Sequence, residues 1–362
     1  MNWTDKLIDP LAKALKETGP WLRVEPNKSG GWLCLGGNVG DPAIDWHHFQ
    51  EDGTLTAMDP MKDKKLPAIA KACSQWISNG YSIQLLAWRV GSRSIFRMSR
   101  ANNNCYAKIF RRDRLIIDRW EHLAAGSPGG LWRVPAILSW DEEDKILIIE
   151  DRPGHSLNQQ WISGIWIDQH LVGLQQILDW LGHAPISDKL PIHTVKDEEQ
   201  ILNSRLDVFH KTLKEPHANA TSLVNKVIKR LNCVGDQELI VCHRDLHDKQ
   251  VITAWEGGSI IDLDLLAIGS PALDVGNIIA HCLLRAAQGL PIPWQSVASI
   301  LSRDAIGRGV EKEALTAWTA STLARIALIY ARRKRHPRLI VQLLASLEDL
   351  LENRGEWAGV ID

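Results

Sequence analysis

The sequence predicts an α+β fold in two lobes: a small antiparallel-sheet N-lobe, a larger and mainly helical C-lobe, and an N-terminal extension ahead of both. Three observations carry this. Strand-like runs follow one another closely at IQLLAWRV (83–90), SIFRMS (94–99) and CYAKIF (105–110), joined by short polar turns as in hairpins. After Gly154 the apolar spacing becomes helical. Within that helical half, one strong strand signal remains, the hairpin-like VITAWEGGSIIDLD around 250–263. The expected boundaries are 1–75 for the extension, 76–152 for the N-lobe and 153–362 for the C-lobe.

Taken in order, residues 1–75 read as irregular, with turn signals flanking short apolar strands in GPWLRVEPNKSGGWLCLGG. A helix in DPMKDKKLPAIAKACSQWISNG is closed by Gly80. Past the three strands, RDRLIIDRWEHLAA places Leu115, Ile116, Trp120 and Leu123 on one helical side. PAILSW and KILIIEDRPG read as two more strands around a turn at Asp141–Asp144. Helices are expected over 156–183, 195–214, 219–232, 274–287, 313–335 and 338–353. The cationic run ARRKRHPR (331–338) suits a helix C-terminus, where positive charge complements the dipole, better than a nucleic-acid contact.

The composition is that of an ordinary globular chain, 45% hydrophobic and 23% charged. A formal net charge of -1 gives no general attraction to nucleic acid or anionic membrane. Six cysteines without a C-x-x-C pair argue against thiolate metal sites and a disulfide framework, and so for reduced thiols in the cytoplasm. The N-terminus lacks the apolar core of a signal peptide, and no run reaches the length of a membrane span. Sixteen tryptophans are expected to fill cores and seams, with one or two left to stack in a ligand cleft.

The chemistry concentrates in HRDLHDKQ and the hairpin after it. Asp245 and Gln250 stand five apart in a polar loop, and the strand–Gly257-Gly258–strand pattern folds Asp262 back near Gln250. Asp262 and Asp264, two apart on a strand, would share one face. A loop amide oxygen and one or two carboxylates make an all-oxygen site suited to Mg²⁺. Asp245, outside that site, is placed to orient an attacking hydroxyl and accept its proton, which is the division of labour phosphoryl transfer requires. Asp264 reads equally as a second metal contact or a solvated acid. His243 reads as structural, and His247 and Lys249 lie near the expected γ-phosphate. His243 and His247 form an H-x-x-x-H, but in a loop and without the H-E-x-x-H of zinc proteases.

HRDLHDKQVI and IIDLDLLAIGSPALDVGNIIAH together resemble the signature region of the aminoglycoside phosphotransferase and choline kinase-like family, a resemblance covering about residues 80–350. It implies a bilobal protein-kinase-like fold and ATP-dependent phosphorylation of a small-molecule hydroxyl. It also implies Asp245 as the catalytic acid–base, Gln250 and Asp262 as metal ligands, and Asp274 as a buried brace for the loop. The family usually has Asn at the position of Gln250 and Gly at that of Arg244, although a branch carries Gln. In such a fold Lys108 would hold the α- and β-phosphates, with Glu121 as its ion-pair partner ahead of Asp113 and Asp118. The VGSRS turn around Ser92 would cover the phosphates, and the backbone near Glu150 and Arg152 would meet the adenine. The expected activity is that of an ATP- and Mg²⁺-dependent kinase acting on a sugar, aminosugar, aminoglycoside or amino alcohol. The extension resembles the cap of maltokinase-like and glucosamine kinase-like members, which tilts the acceptor toward a saccharide. The rival is a nucleotide-binding pseudokinase or regulatory module. Protein kinase activity is disfavoured by IDLD in place of D-F-G and by the lack of an A-P-E segment. Oligomeric state is not legible in the sequence.

Overall fold

The computed structural model describes residues 7, 9–17, 20–37, 43–50, 52–101, 103–112, 116–213, 217, 219–235, 237–254, 257–333 and 339–361. Residues 1–75, expected to be irregular, begin with helix α1 (Asp9–Glu17) and a sheet of four strands in sequence order, β1 (Trp21–Pro26), β2 (Trp32–Gly36), β3 (Trp46–Phe49) and β4 (Leu55–Ala57). The strands are short and rich in tryptophan and histidine, so alternation is hard to read in the sequence; antiparallel pairing with neighbours supplies what propensity does not. Helix α2 (Ala68–Ser78) follows.

The second sheet has the order β5-β6-β7-β10-β9, from β5 (Ser82–Arg89), β6 (Arg93–Arg100), β7 (Asn103–Phe110), β9 (Ile137–Asp141) and β10 (Ile146–Glu150), with α3 (Ile116–His122) and the short β8 (Trp132–Arg133) between β7 and β9. Trp46 and the inner face of α2, including Ile69 and Trp76, bury against Trp88, Phe96 and Ile109 of this sheet. Trp46 Nε1 also donates to the Trp88 carbonyl at 2.7 Å. The N-terminal sheet thus shares a core with the second one.

Beyond the connection at 151–154, the chain forms β11 (His155–Ser156), α4 (Leu157–Ile162), α5 (Asp168–His183), α6 (Val195–Thr212) and α7 (Ala220–Asn232). The single helix expected over 156–183 is broken at 163–167, where Gly164 has positive φ. Next come β12 (Ile240–Cys242), β13 (Val251–Ala254), β14 (Gly257–Ile260) and β15 (Ala267–Gly269). Helices α8 (Ala272–Ala287), α9 (Trp294–Gly307), α10 (Lys312–Tyr330) and α11 (Leu339–Glu352) complete the fold. Helix α9 is an addition to the expected helices; it buries Trp294, Val297, Ala298, Leu301 and Ala305 on one face. Among the described residues no helix is long and apolar enough to cross a membrane.

The hairpin pairs Val251 with Ile260 and Ala254 with Gly257, so Gly257 and Gly258 open β14 instead of forming its turn; residues 255 and 256, including Glu256, lie outside the described residues. The glycines are needed for packing. A Cβ on Gly258 would come within 2.1 Å of the Trp132 ring, where β8 runs parallel to β14.

Helix α10 is buried nearly all round, in keeping with its run of small and apolar residues, and sits among α6, α7, α8 and α11. Its approach to α8 is close: a Cβ on Gly276 would lie 2.8 Å from the Thr319 amide nitrogen. Gly276→Val should therefore force the two helices apart and destabilise the protein by about 2–4 kcal/mol. Chemical denaturation of the two proteins, compared at equal m-value, measures this.

Candidate active site

Lys108 projects from the middle of β7 and is almost fully buried. Its Nζ donates to Asp262 Oδ1 at 2.6 Å and to Asp264 Oδ1 at 2.9 Å, and lies 5.2 Å from the centre of the Trp120 ring. Arg93, the first residue of β6, holds the other oxygen of Asp264 and approaches Asp262 at 3.5 Å. Two cations from the N-terminal half and two carboxylates from the C-terminal half therefore form one buried cluster. Burial opposes charge on Lys108 and Asp262, but the mutual attraction wins: the Lys108 ammonium is held above its usual range and the Asp262 carboxyl below its own.

Asp262 and Asp264 do not lie on a strand, as their spacing suggested. Asp262 adopts φ 65, ψ 52, and a 3₁₀ turn at Leu263–Leu265 follows. That left-handed residue redirects the chain, and the 3₁₀ turn still brings both acids to Lys108. Asp264 spends both oxygens on Lys108 and Arg93 and is 3% exposed, whereas the Asp262 side chain keeps 21% exposure. Asp262 is thus the acid with an open approach.

Glu121 is not the partner of Lys108. It lies exposed on α3, while neighbouring Trp120 and Arg119 point inward, Arg119 donating to the Asp264 carbonyl. Asp118 pairs with Lys189 at 3.3 Å, and Asp113 lies outside the described residues. Helix α3 is a short seven-residue helix, and the face it buries is aromatic and cationic; carboxylates arriving from the C-terminal half replace the expected glutamate.

The loop after β12 is tied down at several points. Asp274, in the first turn of α8, accepts from the backbone amides of His243 at 2.6 Å and Arg244 at 2.8 Å, so its carboxylate braces the loop. Burial nonetheless pushes the Asp274 carboxyl up. His243 Nε2 donates to the Ile261 carbonyl at 2.9 Å, and its Nδ1 accepts from the Asp245 amide at 3.3 Å. One imidazole therefore joins the loop to the residue before Asp262. The Asp245 side chain is 45% exposed, and its carboxylate lies 4.0 Å from His247 Nε2.

Gln250 reaches the same place through its backbone, its carbonyl accepting from the Ile261 amide at 2.9 Å. Its side-chain amide lies 3.3 Å from His247 Nε2. Asp248, not singled out in the sequence, anchors the loop from below: it is fully buried and takes both Nε and Nη2 of Arg285, at 2.9 and 3.0 Å. Those bonds and His247 outweigh burial and hold its carboxyl far below the usual range.

At the connection between the halves, Glu150 accepts from the Ala136 amide and from Arg152 Nη1, and Arg152 Nε donates to Ser259 Oγ at 2.8 Å. Ser92, in the β5–β6 turn, lines a cavity of about 540 Å³ together with Asp245, Asp262 and Asp264. Gly91 in the same turn donates to Asp63 Oδ2 at 2.7 Å, so the segment after β4 braces it. On the far wall Glu198 is bound by Arg325 at 3.1 Å, by His193 at 3.2 Å and by Ser321.

Neither a protein-family model nor a curated protein matches the chain in sequence. Solved structures match its fold. A choline/ethanolamine kinase family protein from Mesorhizobium loti superposes with TM-score 0.54 at 16% identity, over 81% of this chain and 97% of that one. Choline kinase LicA from Streptococcus pneumoniae gives TM-score 0.54 at 17% identity, over 79% and 99%. Aminoglycoside phosphotransferase APH(4)-Ia, as a thermostable mutant in ternary complex with AMP-PNP and hygromycin B, gives TM-score 0.54 at 12% identity, over 80% and 99%. The chain has the protein-kinase-like fold of these structures, with an antiparallel-sheet N-terminal region and a helical C-terminal region.

The wall at Glu198 gives a pH test. Burial raises its pKa, but Arg325, His193 and Ser321 outweigh that and hold it at about 2, below the unfolded value. Its contribution to stability is thus complete above about pH 4.5 and is lost as pH falls toward 2. Glu198→Gln should be less stable than the parent by about 3 kcal/mol at pH 7. Melting temperatures recorded from pH 7 to 3 should show that gap narrowing as pH falls.

Proposed function

We propose that this chain is an ATP- and Mg²⁺-dependent kinase that phosphorylates a hydroxyl of a small molecule. The observation that carries the reading is that Asp245 and Asp262 line one cavity, with Lys108 bound to Asp262 behind it and His243 tying the loop of Asp245 to the residue before Asp262. Lys108 would pass from Asp262 to the α- and β-phosphates of the nucleotide, a short move for a flexible ammonium. Asp262 supplies a hard, ionised oxygen ligand beside the open cavity, and Gln250 stands next to it in the fold; this donor set fits Mg²⁺, which neutralises phosphate charge when bound. Ser92 and the β5–β6 turn cover the phosphates, and the backbone between Glu150 and Arg152 faces the adenine edge.

Asp245 orients the acceptor. Its carboxylate takes the proton of the hydroxyl as the hydroxyl oxygen bonds to the γ-phosphorus and the bond from that phosphorus to the β,γ-bridging oxygen breaks, leaving ADP. Partial exposure leaves Asp245 reachable, while Asp248, fully buried on Arg285, is withheld from chemistry. Retention of Lys108 on Asp262, with Asp245 on the wall of the same cavity as Asp262, favours turnover over a nucleotide-binding module. The fold shared with structures described as choline kinase and aminoglycoside phosphotransferase supports the same reading.

Asp245→Ala should lower kcat by about 10²–10⁴, with the KM for ATP little changed. A coupled ADP-release assay across sugars, sugar acids, sugar phosphates and amino alcohols measures this, and equal turnover in the two proteins removes Asp245 from the reaction. ATP titrated calorimetrically should bind more tightly with Mg²⁺ than without it, and Asp262→Asn should abolish that difference. A metal-independent affinity would instead support the nucleotide-binding module.

A further inference from the structure

The cavity that holds Asp245 adjoins a second one of about 820 Å³, which opens between the N-terminal sheet, the β5–β6 turn and α6. Arg89, Arg205 and Arg244 line both. Strand β1 closes over the end of α10, the Val24 amide donating to the Arg332 carbonyl at 3.3 Å, and this brings Arg23 and Arg332 to the same walls. Glu25 pairs with Arg23 and lies 3.8 Å from Arg332, and Glu198 serves Arg325. Among the described residues, no carboxylate lies within ion-pair distance of Arg89, Arg205 or Arg244, and no side-chain hydrogen bond holds them.

Arg244 adds a second, independent observation. Its φ is 69, a left-handed backbone that glycine adopts freely and a long side chain adopts at a cost. The conformation is imposed from both sides, Asp274 holding its amide and Asn277 its carbonyl. The side chain it carries there, directly before Asp245, enters both cavities with its Nε buried and without a hydrogen-bond partner. A strained position that keeps an arginine points to a use for that arginine.

We infer that the acceptor is an anion, a hydroxyl compound bearing a phosphate or carboxylate group, which Arg244 and Arg205 bind so that its hydroxyl faces Asp245. Guanidinium groups recognise both anions through paired N–H donors. The crowding of like charge agrees with this: burial, then Arg333, Arg332, Arg89 and Arg205, bring the Arg23 guanidinium down to about 8, and a bound anion would relieve that repulsion. Choline carries a permanent positive charge and aminoglycosides are polyamines, so these walls repel both. The phosphates of the nucleotide have their own partners in Lys108 and the β5–β6 turn, whereas Arg205 comes from α6 and Arg244 from the loop of Asp245.

The word acceptor rests on the kinase reading; the anion site does not. The test uses the full chain saturated with AMP-PNP and Mg²⁺, so that the nucleotide site is filled, and titrates glucose 6-phosphate, glucuronate, glucose and choline calorimetrically. At least one anionic probe should bind about tenfold or more tightly than glucose and choline, and the two anionic arms separate phosphate from carboxylate. Arg244→Gly should lose that preference while its melting temperature stays level or rises, because glycine relaxes the backbone. Arg205→Gln, in a different element, should weaken the same probe. Equal binding of glucose or choline, no binding of either anion at millimolar concentration, or an anion preference that survives both substitutions would overturn the inference. Anion binding with no turnover of any acceptor would reject the kinase reading and keep the site. Turnover confined to neutral or cationic acceptors would do the reverse.

Discussion

The buried meeting of Lys108 and Arg93 with Asp262 and Asp264 is the constraint on which the rest of the molecule depends. It joins a strand of one half to a turn of the other, and it does so with groups that are costly to bury. Removing one member would strand its partners in a poorly solvated place, a loss of about 3–5 kcal/mol for a buried pair. The cluster therefore holds the two halves in register. Trp120 and Arg119 close its inner side.

Around this cluster, three acids within thirty residues are given different work by their surroundings. Asp248 is ionised and locked on Arg285, Asp274 is spent on two backbone amides, and Asp245 is left half exposed at the cavity. Two left-handed residues, Arg244 and Asp262, frame the site, and both are held by the hydrogen bonds of their neighbours. Strain of this kind persists where surrounding structure over-determines it, and here it aims two charged side chains at one space. The N-terminal sheet takes part as well: Asp63 braces the β5–β6 turn, and β1 brings Arg23 and Glu25 to the cavity wall.

Much of this architecture was legible. The strand runs at 83–90, 94–99 and 105–110 lie within β5, β6 and β7 to within two residues, because alternation against a single core is a strong local signal. Helices α6, α7, α8, α10 and α11 were recognised for the same reason. In the extension, β1 and β2 fall on the short apolar strands expected in GPWLRVEPNKSGGWLCLGG, whereas β3 and β4 were not expected, since their pairing is supplied by neighbours and their short length hides the period. Position in a helix points to Glu121 as the partner of Lys108, but the rotation of α3 is set by burying Trp120, which turns the glutamate outward. Asp262 and Asp264 were placed together for the wrong reason, strand alternation, where a left-handed residue and a 3₁₀ turn do the placing.

By itself the sequence determined the two-lobed α+β plan, the strand position of Lys108 and the spacing of Asp245, Gln250 and Asp262, because periodicity and loop chemistry are local properties. Only the tertiary structure decided which acid meets which cation, how the extension packs, and that a chain of formal net charge -1 gathers its arginines around one cavity. Net charge is a sum over the whole surface, whereas the potential in a cleft depends on which few side chains the fold brings within reach of one another, and that is fixed by contacts between residues far apart in the chain.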